Sequence, residues 1–284
     1  MNDKAKLYIG VDLGGTTGRV AAFDSLEDPA PRNRSDFAAD RTYESDMRSI
    51  AEAVAKVSDG AKVEAAGFAM PGLLDSAGET IVGSGRHERW HGKPIKKDLE
   101  KLLGCRVVFR NDAHAAALAE AVYGDIPKQD FWFLIWGTGV GGAYVRYTNG
   151  EPDVLRSELG HQTIDRNDTF PPDGCLQSGC LESLVSGDKI AERFGKPAAE
   201  LTEQEWQTVE SDLAGGLYNL AVILPVGRIV LGGGVANKQA KRLPAIERKI
   251  AARLKVVDTV PTLSVATHGE DAGLVGALAS LRKN

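Results

Sequence analysis

Two glycine-dense turns hold the residues best suited to chemistry: "DLGGTTG" from Asp12 to Gly18 and "GTGVGG" from Gly137 to Gly142. Glycine serves where backbone must approach a ligand closely, because there is no Cβ to clash and φ is free to be positive. In the first turn the amides of Gly14, Gly15 and Thr16 can cradle phosphate oxygens, while Asp12, at a strand end, can hold Mg²⁺ through water. In the second, Gly137, Thr138 and Gly139 would clamp the same phosphates. A single glycine hairpin is an ordinary turn; two, one in each half of the chain, point to phosphate. Neither matches GxxxxGK[ST], and no GxGxxG opens a helix after a strand, so P-loop and dinucleotide-binding readings fit poorly.

Two further stretches bear on the same chemistry. "FRNDAHAAALAE" (Phe109 to Glu120) sets Asn111 and Asp112 at the mouth of a helix. Such residues are preferred helix caps. Beside phosphate turns they gain a second reading, with Asp112 as the base that accepts a hydroxyl proton and Asn111 as a ligand to a neighbouring hydroxyl. "LGGGVA" (Leu231 to Ala236) would let adenine or ribose lie against the bare backbone of Gly232, Gly233 and Gly234. A close-packed turn explains it equally well.

The elements that must position these residues follow from periodicity. Alternation predicts strands over Leu7–Asp12 and Thr17–Phe23 as a hairpin. A solvated connection follows from Asp24 to Tyr43. Apolar residues at helical spacing from Met47 to Val57 predict a helix, and "KVEAAGFAM" a strand. Ile95–Leu103 reads as a helix, Arg106–Phe109 as a strand and Ala113–Tyr123 as a helix. The opening plan then recurs: strand Phe131–Trp136, glycine turn, strand Ala143–Tyr147. Later come helices over Trp206–Leu224 and Leu243–Leu254, a strand running into Gly232, and a closing strand and helix. Two similar α/β halves facing a cleft are expected.

Length and charge bound the rest. A chain of 284 residues can bury one large or two medium α/β cores. Its net charge of −5, with Lys and Arg scattered, gives no footprint for nucleic acid. No long apolar run suggests a signal peptide or a spanning helix, so the expectation is a cytoplasmic protein with no membrane partner. Three cysteines are too few and too odd for a disulfide framework.

Eight stretches then occur together, in order: "IGVDLGGTTGRVAAFD", "GFAMPGLLD", "NDAHAAALAE", "GTGVGG", "ELGH", "GCLESL", "IVLGGGV" and "DAGLVGALA". In order and spacing they resemble the ROK family of sugar kinases and sugar-responsive repressors, over nearly the whole chain. The resemblance implies the actin/hexokinase/Hsp70-like ATPase fold, an α/β architecture with two lobes around a central cleft. We place the lobe boundaries at 1–112 plus 273–284 and at 113–272. It also implies ATP and Mg²⁺ between the glycine turns, a hexose as acceptor and a homodimer. Asp112 would be the catalytic base, with Gly72, Asn111, Glu158, His161 and Glu182 around the sugar. Family repressors carry a DNA-binding helix-turn-helix ahead of this part, which is not expected here.

Two stretches depart from the family pattern. Family glucokinases commonly show Asn-Leu-Pro just before a tryptophan, where this chain reads "GRHERWHGKPI", setting Arg86 at the place of a sugar-contacting Asn. The family's zinc knuckle reads CxCGxxGCxE, and here the first Cys is Asp173. A structural zinc would take His161, Cys175, Cys180 and Asp173 as its four ligands; a metal-free glycine turn competes with it. The expected reaction is γ-phosphoryl transfer from ATP to a primary hydroxyl, O6 of glucose or a related sugar. An N-acetylhexosamine or fructose kinase and a non-catalytic sugar sensor are the alternatives.

Overall fold

A computed structural model of the protein describes residues 6–39, 41–75, 77, 79–83, 88–167 and 178–282. The elements begin with β1 (Lys6–Leu13), β2 (Thr17–Phe23), β3 (Asn33–Ala38), α1 (Tyr43–Ser58), β4 (Lys62–Met70), β5 (Leu73–Leu74) and β6 (Ile81–Gly83). There follow α2 (Ile95–Leu103), β7 (Arg106–Asn111), α3 (Asp112–Tyr123), β8 (Phe131–Trp136), β9 (Val140–Thr148) and β10 (Glu151–Ser157). The remainder are α4 (Leu181–Val185), α5 (Gly187–Phe194), α6 (Glu203–Ile223), β11 (Arg228–Gly232), α7 (Gly234–Lys238), α8 (Leu243–Arg253), β12 (Thr262–Val265) and α9 (Ala272–Ala279).

The chain divides into two units, Met1–Gly124 with Asp271–Asn284, and Asp125–Glu270. Each holds a five-stranded sheet of one topology. The order is β3-β2-β1-β4-β7 in the first and β10-β9-β8-β11-β12 in the second. In both, the first three strands in sequence are antiparallel neighbours and the last two run parallel to the first. The recurrence of strand, glycine turn and strand is thus a recurrence of a whole sheet plan.

Sequence chemistry explains the individual elements. β1 and β8 are almost wholly apolar because both faces are covered. α1 starts where the Thr42 hydroxyl accepts the Ser45 amide at 3.2 Å and stops at Asp59, whose φ of 46° is left-handed. α6 opens on a reciprocal capping box between Thr202 and Glu205. The first core gathers Leu7, Ile9, Val11, Phe68 and Trp90, the second Leu134, Trp136, Leu213, Leu217 and Ile250.

Two sequence expectations change. The span read as a solvated connection contains β3, an edge strand paired to β2, and β10 occupies a stretch given no element. Both are edge strands rich in charge, so neither shows an apolar face to a periodicity count. The second glycine turn is shorter than expected, because β9 begins at Val140 and takes in Gly141 and Gly142. There Gly142 is a packing requirement: a Cβ would stand 2.2 Å from the Phe133 carbonyl oxygen. α3 itself packs within the first unit. Its Ala115 backbone touches α9 so closely that a Cβ on Gly276 would lie 2.0 Å from the Ala115 carbonyl oxygen.

Candidate active site

In the first unit the expected residues stand at the carboxyl ends of parallel strands β1, β4 and β7, where ligands of open α/β sheets bind. Asp12 lies one residue before the end of β1, opposite Arg19 of β2, and the two side chains pair at 2.5 Å. The first turn of α9 closes on the same carboxylate, since a Cβ on Gly273 would meet Asp12 atoms at 2.3 to 2.5 Å. Gly14 donates its amide to the Thr17 carbonyl at 2.8 Å and so closes the hairpin. Gly15 and Thr16 form the tip.

Asn111 and Gly72 are brought together. The Asn111 Oδ1 accepts the amides of Ala113 at 3.0 Å and His114 at 3.3 Å, capping α3, while Nδ2 donates to the Gly72 carbonyl at 3.2 Å. Gly72 has a φ of 103°, a conformation that suits glycine alone. The cap reading of Asn111 therefore holds, and the cap also ties down the chain leaving β4. Asp112 follows as the first helical residue, half-buried, with Oδ1 on the Ala113 amide at 2.8 Å.

In the second unit a pocket of about 330 Å³ is lined by Gly137, Thr138, Gly187, Asp188, Trp206 and Gly234, together with Ala198, Ala199, Val235, Lys238 and Gln239. The two glycine runs meet here, a Cβ on Gly137 lying 3.8 Å from the Gly234 nitrogen. Of the LGGGVA glycines, only Gly234 lines this space. Gly232 is buried in β11 against Phe133, and Gly233, with φ of 95°, passes so near β8 that a Cβ would sit 2.7 Å from the Trp136 carbonyl oxygen. The α5 N-terminus seats on the turn through the Gly187 amide, 2.7 Å from the Gly137 carbonyl.

A second cluster converges on Val140. Glu182 Oε2 accepts the Val140 amide at 2.6 Å and would stand 2.8 Å from a Cβ on Gly139. On the other side of that residue, a Cβ on Gly160 would fall 2.0 Å from the Val140 carbonyl oxygen. Three motifs far apart in sequence, GTGVGG, ELGH and GCLESL, thus cross at one residue. His161 follows Gly160 directly, its amide bonded to the Glu158 carbonyl at 3.0 Å. The Glu158 side chain is exposed and pairs with Arg156 at 3.4 Å.

A family model described as the ROK family matches residues 8–284. The chain belongs to the ROK family. An N-acetyl-D-glucosamine kinase of Escherichia coli O157:H7 is 30% identical over 95% of this chain and 98% of its own. A glucokinase of Thermotoga maritima is 34% identical over 66% of this chain, and the match spans 59% of that enzyme. Among solved structures, a ROK family glucokinase from Streptomyces griseus in complex with glucose and AMPPNP is 26% identical. It has a TM-score of 0.77, covering 98% of this chain and 100% of that one. A ROK hexokinase from Thermus thermophilus reaches 27% identity and 0.76 over 96% and 97% of the two chains. The ROK fold is the α/β, actin/hexokinase-like ATPase architecture that the motifs imply.

Some expected positions fall elsewhere. Arg86, Asp173 and Cys175 lie outside the described residues. Cys180 is fully buried at the N-cap of α4, where its Sγ accepts the Ser183 amide at 3.4 Å. Among the described residues no group of three His, Cys, Asp or Glu side chains could hold a metal. No described helix is long and apolar enough to cross a membrane. Sequence reasoning missed Gly187, Asp188, Ala198, Ala199, Trp206, Lys238 and Gln239 of the pocket. They sit at the start of α5, on a 3-10 turn over Ala198–Glu200, on α6 and at the end of α7, and only the Ser-Gly-Asp helix start at 186–188 carried a readable signal.

Proposed function

We propose that this ROK chain is an ATP-dependent hexose kinase that transfers the γ-phosphoryl group to a primary sugar hydroxyl. The observation that carries the reading is the pocket where the glycine runs meet, at the carboxyl ends of β8 and β11, beside a turn held in shape by Glu182. A pocket of that size, walled by backbone, small side chains, Trp206 and the polar Asp188, Lys238 and Gln239, suits a nucleoside. The amides of the glycine turns would hold phosphate oxygens.

The residues then divide the work. Asp112, at the mouth of α3, accepts the proton of the attacking hydroxyl. Asn111 fixes both the start of α3 and the Gly72 carbonyl, so it orients the base and the sugar-side loop together. Glu158, His161 and Glu182 supply acceptors and a ring nitrogen for sugar hydroxyls. Asp12 suits Mg²⁺, because a hard cation that keeps several waters needs only one or two carboxylates, and Asp12 remains partly exposed after pairing with Arg19. When bound, the ion would neutralise charge on the phosphates.

O6 of glucose or a close relative is the proposed acceptor. N-acetylglucosamine is a specific second candidate, favoured by the kinase match that covers 95% of this chain and 98% of that enzyme. A structural zinc on His161, Asp173, Cys175 and Cys180 belongs to the same proposal. It is supported by the bridge between Thr163 and Cys180 and by the Leu181 amide on the Gln162 carbonyl at 3.0 Å, which lay the His161 segment beside Cys180. Metal analysis of protein purified without chelator should find about one zinc per chain. A coupled ADP-release assay over glucose, N-acetylglucosamine, N-acetylmannosamine, mannose and fructose tests the function. ADP release with none of them would instead favour a sugar sensor.

A further inference from the structure

The wall of the second-unit pocket formed by Trp206 and Gln239 is held from behind by a single buried cation. Arg242 is 8% exposed. Its Nη1 donates to Glu203 Oε1 and Glu210 Oε1, both at 2.9 Å, and its Nη2 donates to Glu203 Oε2 at 3.0 Å. Nε donates to Gln239 Oε1 at 2.9 Å. The guanidinium carbon stands 4.8 Å from the centroid of the Trp206 ring. Glu210 is itself buried, while Glu203 stands 68% exposed, so the guanidinium bridges a buried carboxylate and one at the surface. The Glu203 hydrogen bond pushes the Arg242 pKa up, which keeps the group charged despite burial.

A guanidinium donates hydrogen bonds and accepts none. The Gln239 amide must therefore turn its oxygen toward Arg242, which leaves Nε2, a donor, at the other end of the amide. Neither residue belongs to a recognised motif of the chain. Phosphoryl transfer as proposed assigns neither of them a contact with substrate.

We infer that Gln239 is a specificity-determining residue for the nucleotide, donating from Nε2 to an acceptor on the edge of the purine base, and that Arg242 is the positioning residue that fixes the amide in this sense. Arg242 also stacks on Trp206, so one guanidinium sets both a polar contact and an apolar wall. The inference rests on the reading of this pocket as the nucleotide site. Lysine could not replace Arg242, because a point ammonium cannot reach Gln239, Glu203 and Glu210 at once while stacked on an indole.

The test is a double-mutant cycle with Gln239→Met and Arg242→Lys, read by calorimetric binding of ADP and by separate KM values for ATP and hexose. Wild-type protein that binds no ADP would overturn the nucleotide reading of the pocket itself. Given binding, Gln239→Met should weaken ADP and raise the ATP KM about five- to tenfold, the worth of one hydrogen bond, with hexose KM and kcat unchanged. Arg242→Lys should produce a similar shift, and the double variant should be no worse than the poorer single, because the two act as one unit. ADP affinity within twofold of wild type in Gln239→Met would overturn the inference. Additive losses, or a fall in kcat and hexose affinity alongside, would reduce Arg242 to a purely structural role. Gln239 is only partly buried, so its variant should fold even if Arg242→Lys does not.

Discussion

The Glu182 carboxylate accepts the backbone amide of Val140 at 2.6 Å, so an acidic residue on α4 shapes the glycine turn that precedes β9. A carboxylate placed only to meet sugar would have no reason to lie so close to Gly139 that a side chain there would clash with it. Glu182→Ala should therefore raise the ATP KM as well as the hexose KM, each by about tenfold, since it removes a charge-assisted hydrogen bond. Glu182→Gln, which keeps an acceptor, should disturb ATP far less. An ATP KM indifferent to both substitutions would show that the turn holds its shape without Glu182.

Asp112→Asn preserves the shape of the side chain and an acceptor for the Ala113 amide, yet it cannot take a proton. Turnover should fall at least ~10²-fold while hexose binding survives. Single-turnover kinetics with equilibrium sugar binding separate the two effects. Near-wild-type turnover would remove Asp112 from the role of base.

Gly273→Ala would drive a methyl group to 2.3 Å from the Asp12 side chain. The carboxylate would have to leave its place beside Arg19. A Mg²⁺ titration of activity should show the half-saturating concentration rising several-fold, with hexose KM unmoved. An unaltered Mg²⁺ requirement would separate Asp12 from the metal.

Hydrogen bonds from Lys196 and from the Thr202 backbone and hydroxyl hold the Glu205 carboxyl at about 2. A depressed folded-state pKa stabilises above the unfolded value and loses that contribution as pH falls through the folded one. Wild-type urea midpoints should accordingly drop between the ordinary carboxylate range and about pH 2, with part of the drop due to this cap. In Glu205→Gln the fall should be shallower. Identical profiles would show that the α6 cap adds nothing to acid stability.

Burial, then the nearby Glu100 and Glu64, push the Cys105 thiol up to about 11. At pH 8 such a thiol is far less ionised than a free one, and thiolate is the reactive form. Labelling of Cys105 by a thiol reagent in the native protein, followed by peptide mass spectrometry, should be ~10² slower than in urea. Fast native labelling would contradict the burial that raises it.

Much of this protein was legible from sequence because its chemistry uses local signals. The glycine turn after β1, the Asn111–Asp112 start of α3 and the apolar strands β1, β4 and β8 all announce themselves within a dozen residues, where backbone sterics and capping act. So did the repetition of the strand, turn and strand plan. Periodicity could not find β3 and β10, because an edge strand is defined by the neighbour it pairs with rather than by a buried face. Nor could it separate the glycines. Gly234 lines a pocket, whereas Gly233 is there because its φ of 95° and the Trp136 carbonyl leave no room for a Cβ, and a Cβ on Gly232 would press on the Phe133 ring at 3.0 Å, constraints imposed by a strand about a hundred residues earlier. The convergence of Val140, Gly160 and Glu182, and the hold of Arg242 on Gln239 and Trp206, exist only after packing. Hydrogen bonds and contacts between distant segments depend on which backbones meet, and tertiary structure alone decides that.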